Sequence, residues 1–211
     1  MTEGALSVGL IAAAYLIGAV PFGVMVCRLL GHPDPRTVGS RNIGFTNVLR
    51  IAGKKAGILT LIGDMGKGWM PASLASGWLS DPWAVAAVAL VAVLGHLFPI
   101  YLGFKGGKGV ATALGAITGV APAIGGLLLL TWLSVAAIWR YSSGAAISAF
   151  ALLPALALWK GGLSFIALSF VVSALILSRH RANMARLWNG TEPKIGSSGG
   201  SSTSGIASPA A

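Results

Sequence analysis

GVATALGAITGVAPAIGGLLLLTWLSVAAIW, residues 109 to 139, is the stretch on which the architecture turns. A helix crossing a bilayer needs about 20 mostly apolar residues, within a range of about 17 to 25. These 31 residues are too many for one crossing and few for two. APAIGG at 121 to 126 sets Pro122 and a glycine pair in the middle, a combination that suits a turn between two short helices. The stretch therefore reads as the end of one span, about 105–121, and a second, about 124–139.

Working outward, five further apolar segments are long enough to cross: about 4–27, 56–77, 83–101, 144–159 and 162–178. The composition agrees. The chain is 55% hydrophobic and 9% charged, whereas a soluble domain carries roughly 25% charged residues. The expectation is an all-α, polytopic integral membrane protein: one seven-span domain over 1–195, then a Gly/Ser-rich tail, 196–211, that should be disordered. Gly115 and Gly119 are spaced for close helix packing. The N-terminus, MTEGALSVGL, has Glu3 where a secretory signal has basic residues, so it reads as an uncleaved first span.

Charge chooses between six spans and seven. With 15 Lys+Arg against 5 Asp+Glu the net charge is +10. Polytopic membrane proteins gather cations on cytoplasmic loops, which accounts for the excess without nucleic acid as a partner. With seven spans and the N-terminus outside, the basic loops at 28–55, 105–108, 140 and 179–194 share the cytoplasmic side, and so does the C-terminus. With six, Arg179, Arg181, Arg186 and Lys194 change side against the bias. Seven is the better arrangement.

That topology brings three polar stretches to one face. GSRNIGFTNVLR, 39 to 50, offers Ser40, Asn42, Thr46, Asn47 and Arg50. GHLFPIYLGFKGGKGVAT, 95 to 112, sets Lys105, Gly106, Gly107, Lys108 and Gly109 at the mouth of a helix. Glycines there admit a ligand to the backbone amides, and a helix start with its unpaired N–H groups attracts anions. It is not a Walker loop, because Leu102 stands where its first glycine belongs and Gly109 follows the lysine. RHRANMARL, 179 to 187, adds Arg179, His180, Arg181, Asn183 and Arg186. Each stretch has a plain alternative: a capped polar turn, lysines snorkelling to lipid phosphates, and a juxtamembrane basic cluster. Taken together they describe a cationic pocket for phosphate-bearing ligands.

Within the second span, Asp64 and Lys67 stand three apart and can pair on one helix face. Charges at this depth cost about 2.5–3.5 kcal/mol each on insertion scales, so they are also functional candidates. His96 ends the third span beside Gly95; a packed, hydrogen-bonded role competes with a chemical one. Three separated histidines, one cysteine (Cys27) and scattered carboxylates give no metal-ligand spacing, and no cofactor is implied. No histidine has an aspartate five residues on. The one G-x-S-x-G, at Gly196–Gly200, has no strand before it and is discarded as a nucleophile elbow.

The three stretches resemble, in order, the signature motifs of the bacterial acyl-phosphate-dependent glycerol-3-phosphate acyltransferases (PlsY). GAVPFG (18 to 23) and the Asp64–Lys67–Gly68 segment resemble that family too. Similarity extends over roughly residues 5 to 195. The chain departs from the family pattern at Phe45, usually alanine, and at Arg41, often glycine. The resemblance implies seven helices in a bacterial inner membrane and an active site at the cytoplasmic face. It implies transfer of a fatty acyl group from acyl phosphate to the sn-1 hydroxyl of glycerol 3-phosphate, giving lysophosphatidic acid and phosphate. An enzyme partner supplying acyl phosphate is implied as well. Mapped onto these residues, Ser40, Arg50, Lys108, His180 and Asn183 are the catalytic candidates. Asn42, Thr46, Asn47, Lys105, Gly106, Gly107, Gly109, Arg179 and Arg181 are the phosphate-binding candidates, with Asp64, Lys67 and His96 in support. An already activated donor needs no covalent nucleophile, and the sequence offers none. The rival reading is a transporter of a phosphorylated or anionic metabolite, which Asp64, Lys67 and the break near Pro122 would suit.

Overall fold

A computed structural model describes residues 2–196. They form nine α-helices and one 3₁₀ turn (Ile100–Leu102), and no strand occurs among the described residues. The helices are α1 (Glu3–Gly18), α2 (Phe22–Leu29), α3 (Phe45–Trp78), α4 (Pro82–Leu97), α5 (Val110–Val120), α6 (Pro122–Trp139), α7 (Ser142–Lys160), α8 (Leu163–Arg179) and α9 (Arg181–Trp188). The tail expected to be disordered, 196–211, lies outside the described residues except for Gly196.

Helix is present in all seven apolar segments, with informative differences at the edges. The first is bent by 44° between α1 and α2, because Pro21 lacks the N–H that would continue the ladder. The segment expected from 105 becomes helical only at Val110, so 103–109 is irregular chain. The turn read at 121–126 is tight: α5 ends at Val120 and α6 starts at Pro122, a favoured first helical position for proline. α3 begins at Phe45 and carries Gly53 at φ 80°, which breaks its regular geometry near the start.

By length and sustained apolarity three helical segments qualify as crossings: Pro82–Leu102, Pro122–Trp139 and Ser142–Trp159. Counting the bent pairs α1–α2 and α8–α9 as one span each gives up to five. α5, with 11 residues, is short for a crossing, and α3 is interrupted by Asp64 and Lys67.

Hydrogen bonds sort the helix ends into two groups. At one end the Glu3 carboxylate accepts from Ser80 N at 2.7 Å and Asp81 N at 3.2 Å, joining α1 to the α3–α4 turn. Ser76 Oγ donates to Gly119 O at 3.2 Å, adding the end of α5. At the other end meet the 31–44 loop, the 97–109 segment, the α6–α7 turn and α9.

The core between α4, α5, α6, α7 and α8 includes Val93, Leu97, Ala113, Ile117, Leu128, Phe150, Leu153 and Ile176. α3 lies against α5 almost without intervening side chains. Gly68 faces the Thr112 carbonyl, Gly115 that of Met65 and Gly119 that of Trp69, each with no room for a Cβ. Small residues permit such approach, and it sets Thr112 beside the charged turn of α3.

Candidate active site

The first polar stretch is organised by one amide. Asn47, 2% exposed at the start of α3, accepts from Ser40 N at 2.9 Å. Its Nδ2 donates to the carbonyls of Pro35 (3.0 Å), Val38 (3.2 Å) and Asn42 (2.9 Å). The amide is thereby fully engaged. Asn47 folds the loop. Arg41 takes φ 57° in this loop, a left-handed conformation that glycine adopts without strain. Ser40 and Arg50 are exposed. Thr46 is half-buried, its Oγ1 2.8 Å from Ser142 Oγ on α7.

The second stretch packs onto the end of α4. Gly107 N donates to the His96 carbonyl at 3.2 Å. A Cβ on Gly107 would overlap His96 Nε2 and press on Asn42 Oδ1, so the first and second stretches touch here. Gly109, at φ 83°, reverses the chain into α5. Lys105 is exposed, whereas Lys108 turns inward and donates to Asn183 Oδ1 at 2.5 Å.

The third stretch contributes from the α8–α9 corner. Arg179 donates to the Leu97 carbonyl at 2.6 Å and lies 4.7 Å from the centre of the Phe98 ring. That arrangement fastens α8 to the end of α4. His180 is buried, and its Nδ1 stands 2.8 Å from the Ile176 carbonyl. A carbonyl can only accept, so Nδ1 carries the proton and Nε2 of the neutral ring keeps its lone pair. Arg181 is exposed and takes no part in this mesh.

Glu192, beyond α9, completes the arrangement. Its Oε1 accepts from Asn183 Nδ2 at 2.7 Å and Ser143 Oγ at 2.6 Å, and its Oε2 from Arg186 Nε at 2.7 Å. The chain after it is strapped to the α6–α7 turn: Ile195 N donates to Arg140 O at 2.6 Å, and Arg140 Nη2 returns to Ile195 O at 2.9 Å. Ser142, Ser143 and Glu192 do not stand out in the sequence as site residues. Glu192 is the first acid after the basic third stretch, five residues beyond its end, and that contrast was the available signal. The serines carry none beyond opening a span next to Arg140.

The electrostatics follow from burial. Lys108 is pushed down to about 8, chiefly by burial and further by Arg186, with Glu192 opposing. His180 is held below its ordinary value by burial and by Lys108, against the Ile176 bond and Glu192. Burial alone would raise Glu192, but the donors Ser143, Asn183 and Arg186 bring it below the usual carboxylate value.

A separate polar group lies within the helices. Lys67 Nζ is 2.8 Å from Asp64 Oδ1, the pairing that their spacing allows. His96 Nδ1 is 3.6 Å from the same oxygen and 3.1 Å from Thr112 Oγ1. Among the described residues, no three His, Cys, Asp or Glu side chains gather as metal ligands.

A family profile described as glycerol-3-phosphate acyltransferase matches residues 8–190. The chain belongs to the glycerol-3-phosphate acyltransferase family. Its relatives include the glycerol-3-phosphate acyltransferase of Thioalkalivibrio sulfidiphilus, 52% identical over 192 residues and covering 90% of this chain and 95% of that protein. That of Methylobacillus flagellatus is 48% identical over 187 residues, 88% and 95% of the two chains. Two crystal structures of PlsY (YgiH), an integral membrane glycerol 3-phosphate acyltransferase, share the fold. The glycerol 3-phosphate form gives a TM-score of 0.86 at 40% identity, covering 90% of this chain and 96% of that one. The lysophosphatidic acid form gives 0.82 at 38%, covering 89% and 94%. The chain is thus a membrane protein of an acyltransferase family, and the transporter reading falls away.

Proposed function

We propose that this membrane acyltransferase moves a fatty acyl group from acyl phosphate to the sn-1 hydroxyl of glycerol 3-phosphate, by direct attack and without an acyl-enzyme. The observation that carries the reading is the contact of Lys108 with Asn183, which joins the glycine loop to the corner bearing His180. In the proposed step the hydroxyl oxygen forms a bond to the acyl carbon, the bond from that carbon to the phosphate oxygen breaks, and inorganic phosphate leaves. Lys108 and the backbone N–H groups of Gly106 and Gly109 hold phosphate and developing negative charge, with Gly107 seated on the His96 carbonyl between them. Asn42, Thr46, Ser40 and Arg50 close the pocket from the first stretch, with Lys105 and Arg181 at its rim. The proton goes either to His180 Nε2 or to the departing phosphate; normal turnover by His180→Gln would leave only the second route.

Two features support seven crossings of a bacterial cytoplasmic membrane, with the N-terminus outside and this site on the cytoplasmic side. The helix ends alternate between the Glu3–Ser80 end and the Lys108 end, and the cations concentrate at the latter. Exposed tryptophans lie towards both ends, Trp78, Trp83 and Trp159 at one, Trp139 and Trp188 at the other, as interfacial belts do. The proposed donor requires another enzyme that makes acyl phosphate.

Purified protein given acyl phosphate and glycerol 3-phosphate should release one phosphate per lysophosphatidic acid formed. Equal product from an acyl thioester in place of acyl phosphate would overturn the donor assignment. Trapping an acylated side chain during turnover would overturn the direct attack.

A further inference from the structure

The charges among the helices have no part in the proposed acyl transfer. The side chains of Asp64 and Lys67 are 2% and 1% exposed. Burying two ions costs several kcal/mol each, and apolar replacements of similar volume often hold a fold as well or better. Joining α3 to its neighbours is therefore a weak reason to keep them.

Their surroundings give a better one. Lys67 Nζ also donates to the Val20 carbonyl at 2.7 Å, at the break between α1 and α2. Asp64 Oδ1, although 2.8 Å from Lys67 Nζ, receives no well-directed hydrogen bond. Its other neighbour is His96 Nδ1, at 3.6 Å, and Thr112 Oγ1 stands 3.1 Å from that same nitrogen. On this side the imidazole has one hydrogen-bond partner, Thr112 Oγ1, and the Asp64 carboxylate faces it from beyond hydrogen-bonding distance. On its far side Nε2 lies so close to Gly107 that a methyl group there would overlap it, and the His96 carbonyl accepts the Gly107 N–H at 3.2 Å. Gly107 immediately precedes Lys108. A continuous path runs from the helix break through Lys67, Asp64 and His96 into the glycine loop.

We infer that Thr112, with the Asp64 carboxylate steadied by Lys67 facing the same nitrogen, fixes the His96 ring as the seat of the glycine loop and so determines where Lys108 stands. These are positioning residues. The inference rests on the proposed role of Lys108 as the phosphate-binding cation. Its energetic sense lies in orientation, since a misplacement of about 1 Å at a reacting centre costs on the order of 10²-fold in rate.

The test compares two double replacements that each remove both charges: Asp64→Asn with Lys67→Met, and Asp64→Leu with Lys67→Met. The first keeps a polar side chain facing His96 Nδ1 and the second does not. If the charges only hold the helices together, the two variants melt alike and turn over alike. If they seat the loop, melting is alike but the leucine variant is slower than the asparagine variant by about tenfold or more. Equal turnover in the two doubles overturns the inference. Should either double fail to fold, Thr112→Val removes one hydroxyl partner of His96 and nothing else. A several-fold loss of turnover at unchanged melting temperature supports the inference, and wild-type turnover overturns it. The wild type is assayed in parallel with acyl phosphate and with an acyl thioester, and the variant ratios are read with whichever donor it uses. A wrong donor and a wrong seat for the loop therefore give different results.

Discussion

The molecule twice sets a carboxylate, a lysine and a histidine near one another. Among the helices Asp64, Lys67 and His96 meet directly, the acid and the lysine 2.8 Å apart. At the helix ends Glu192, Lys108 and His180 are arranged differently. Asn183 stands between acid and base, accepting from Lys108 at 2.5 Å and donating to Glu192 at 2.7 Å. A buried lysine in direct contact with a carboxylate has its charge answered within the protein. An ammonium has three donors and no acceptor, so Lys108, given to a neutral amide, keeps charge and donors for an incoming anion. The amide also holds the Glu192 carboxylate back from the place where phosphate would repel it. On the proposed reading the inner trio serves position and the outer one binding.

The sharpest way to break this comparison is to remove the outer cation. Lys108→Ala should lower turnover by at least about 10²-fold, as deleting an oxyanion-type donor does, measured as phosphate release by purified protein. Near-normal release would show that the charge of Lys108, like that of Lys67, is spent on its neighbours within the fold. The next effect comes from making the outer trio resemble the inner one. Asn183→Asp sets a carboxylate directly on Lys108 and should cost about 10- to 100-fold, by neutralising the cation and repelling phosphate. An aspartate variant as active as the wild type would show that the spacer has no such function.

The parts legible in sequence and those hidden divide along similar lines. Apolar length and the Pro122 break made the helices readable, because spanning a bilayer is a one-dimensional requirement. The ion pair of Asp64 and Lys67 was readable for the same reason: three residues apart on a helix is contact. The bend at Pro21 was hidden because a proline between apolar residues does not declare how sharply the chain turns. Asn47 looked like a ligand, and only the carbonyls of Pro35, Val38 and Asn42 around it show that it holds a loop. Ser142 and Ser143 escaped because their partners, Thr46 and Glu192, are 96 and 49 residues away; Glu192 is only nine and six residues from Asn183 and Arg186 but lies beyond the helix, where no periodicity encodes contact. Thr112 closes the second polar stretch without declaring a role; its meaning depends on glycines that bring α5 onto α3.

The pH profile sharpens the comparison further. Lys108, at about 8, is charged below that pH and loses its proton above it. Turnover should therefore fall on the alkaline side of about pH 8, approaching tenfold per unit where only the cation works. His180 is held below its ordinary value, so the neutral ring persists through neutrality and any loss from its protonation belongs on the acid side of about pH 6.5. Lys108→Arg should remove the alkaline limb, since a guanidinium stays charged, while lowering the plateau through its different geometry. An unmoved limb in that variant would assign it to another group.

The smallest expected effect concerns stability. Glu192 is held below the ordinary carboxylate value, so its contribution is complete above the unfolded-state value and disappears as pH falls through the lower folded one. Thermal melting in detergent should then decline on the acid side of about pH 4.5 in the wild type and less steeply in Glu192→Gln. At neutral pH the glutamine variant loses the charge in its bonds from Ser143, Asn183 and Arg186, about 1–2 kcal/mol, with the Arg186 share discounted because that side chain is 42% exposed. The replacement also takes the restraint off Asn183, so its orientation toward Lys108 loosens. Activity should fall with stability in this outer trio. In the inner one, the charge-free double with an asparagine at position 64 should melt like its leucine counterpart yet turn over faster, and that contrast separates a charge held for a ligand from one held for a neighbour.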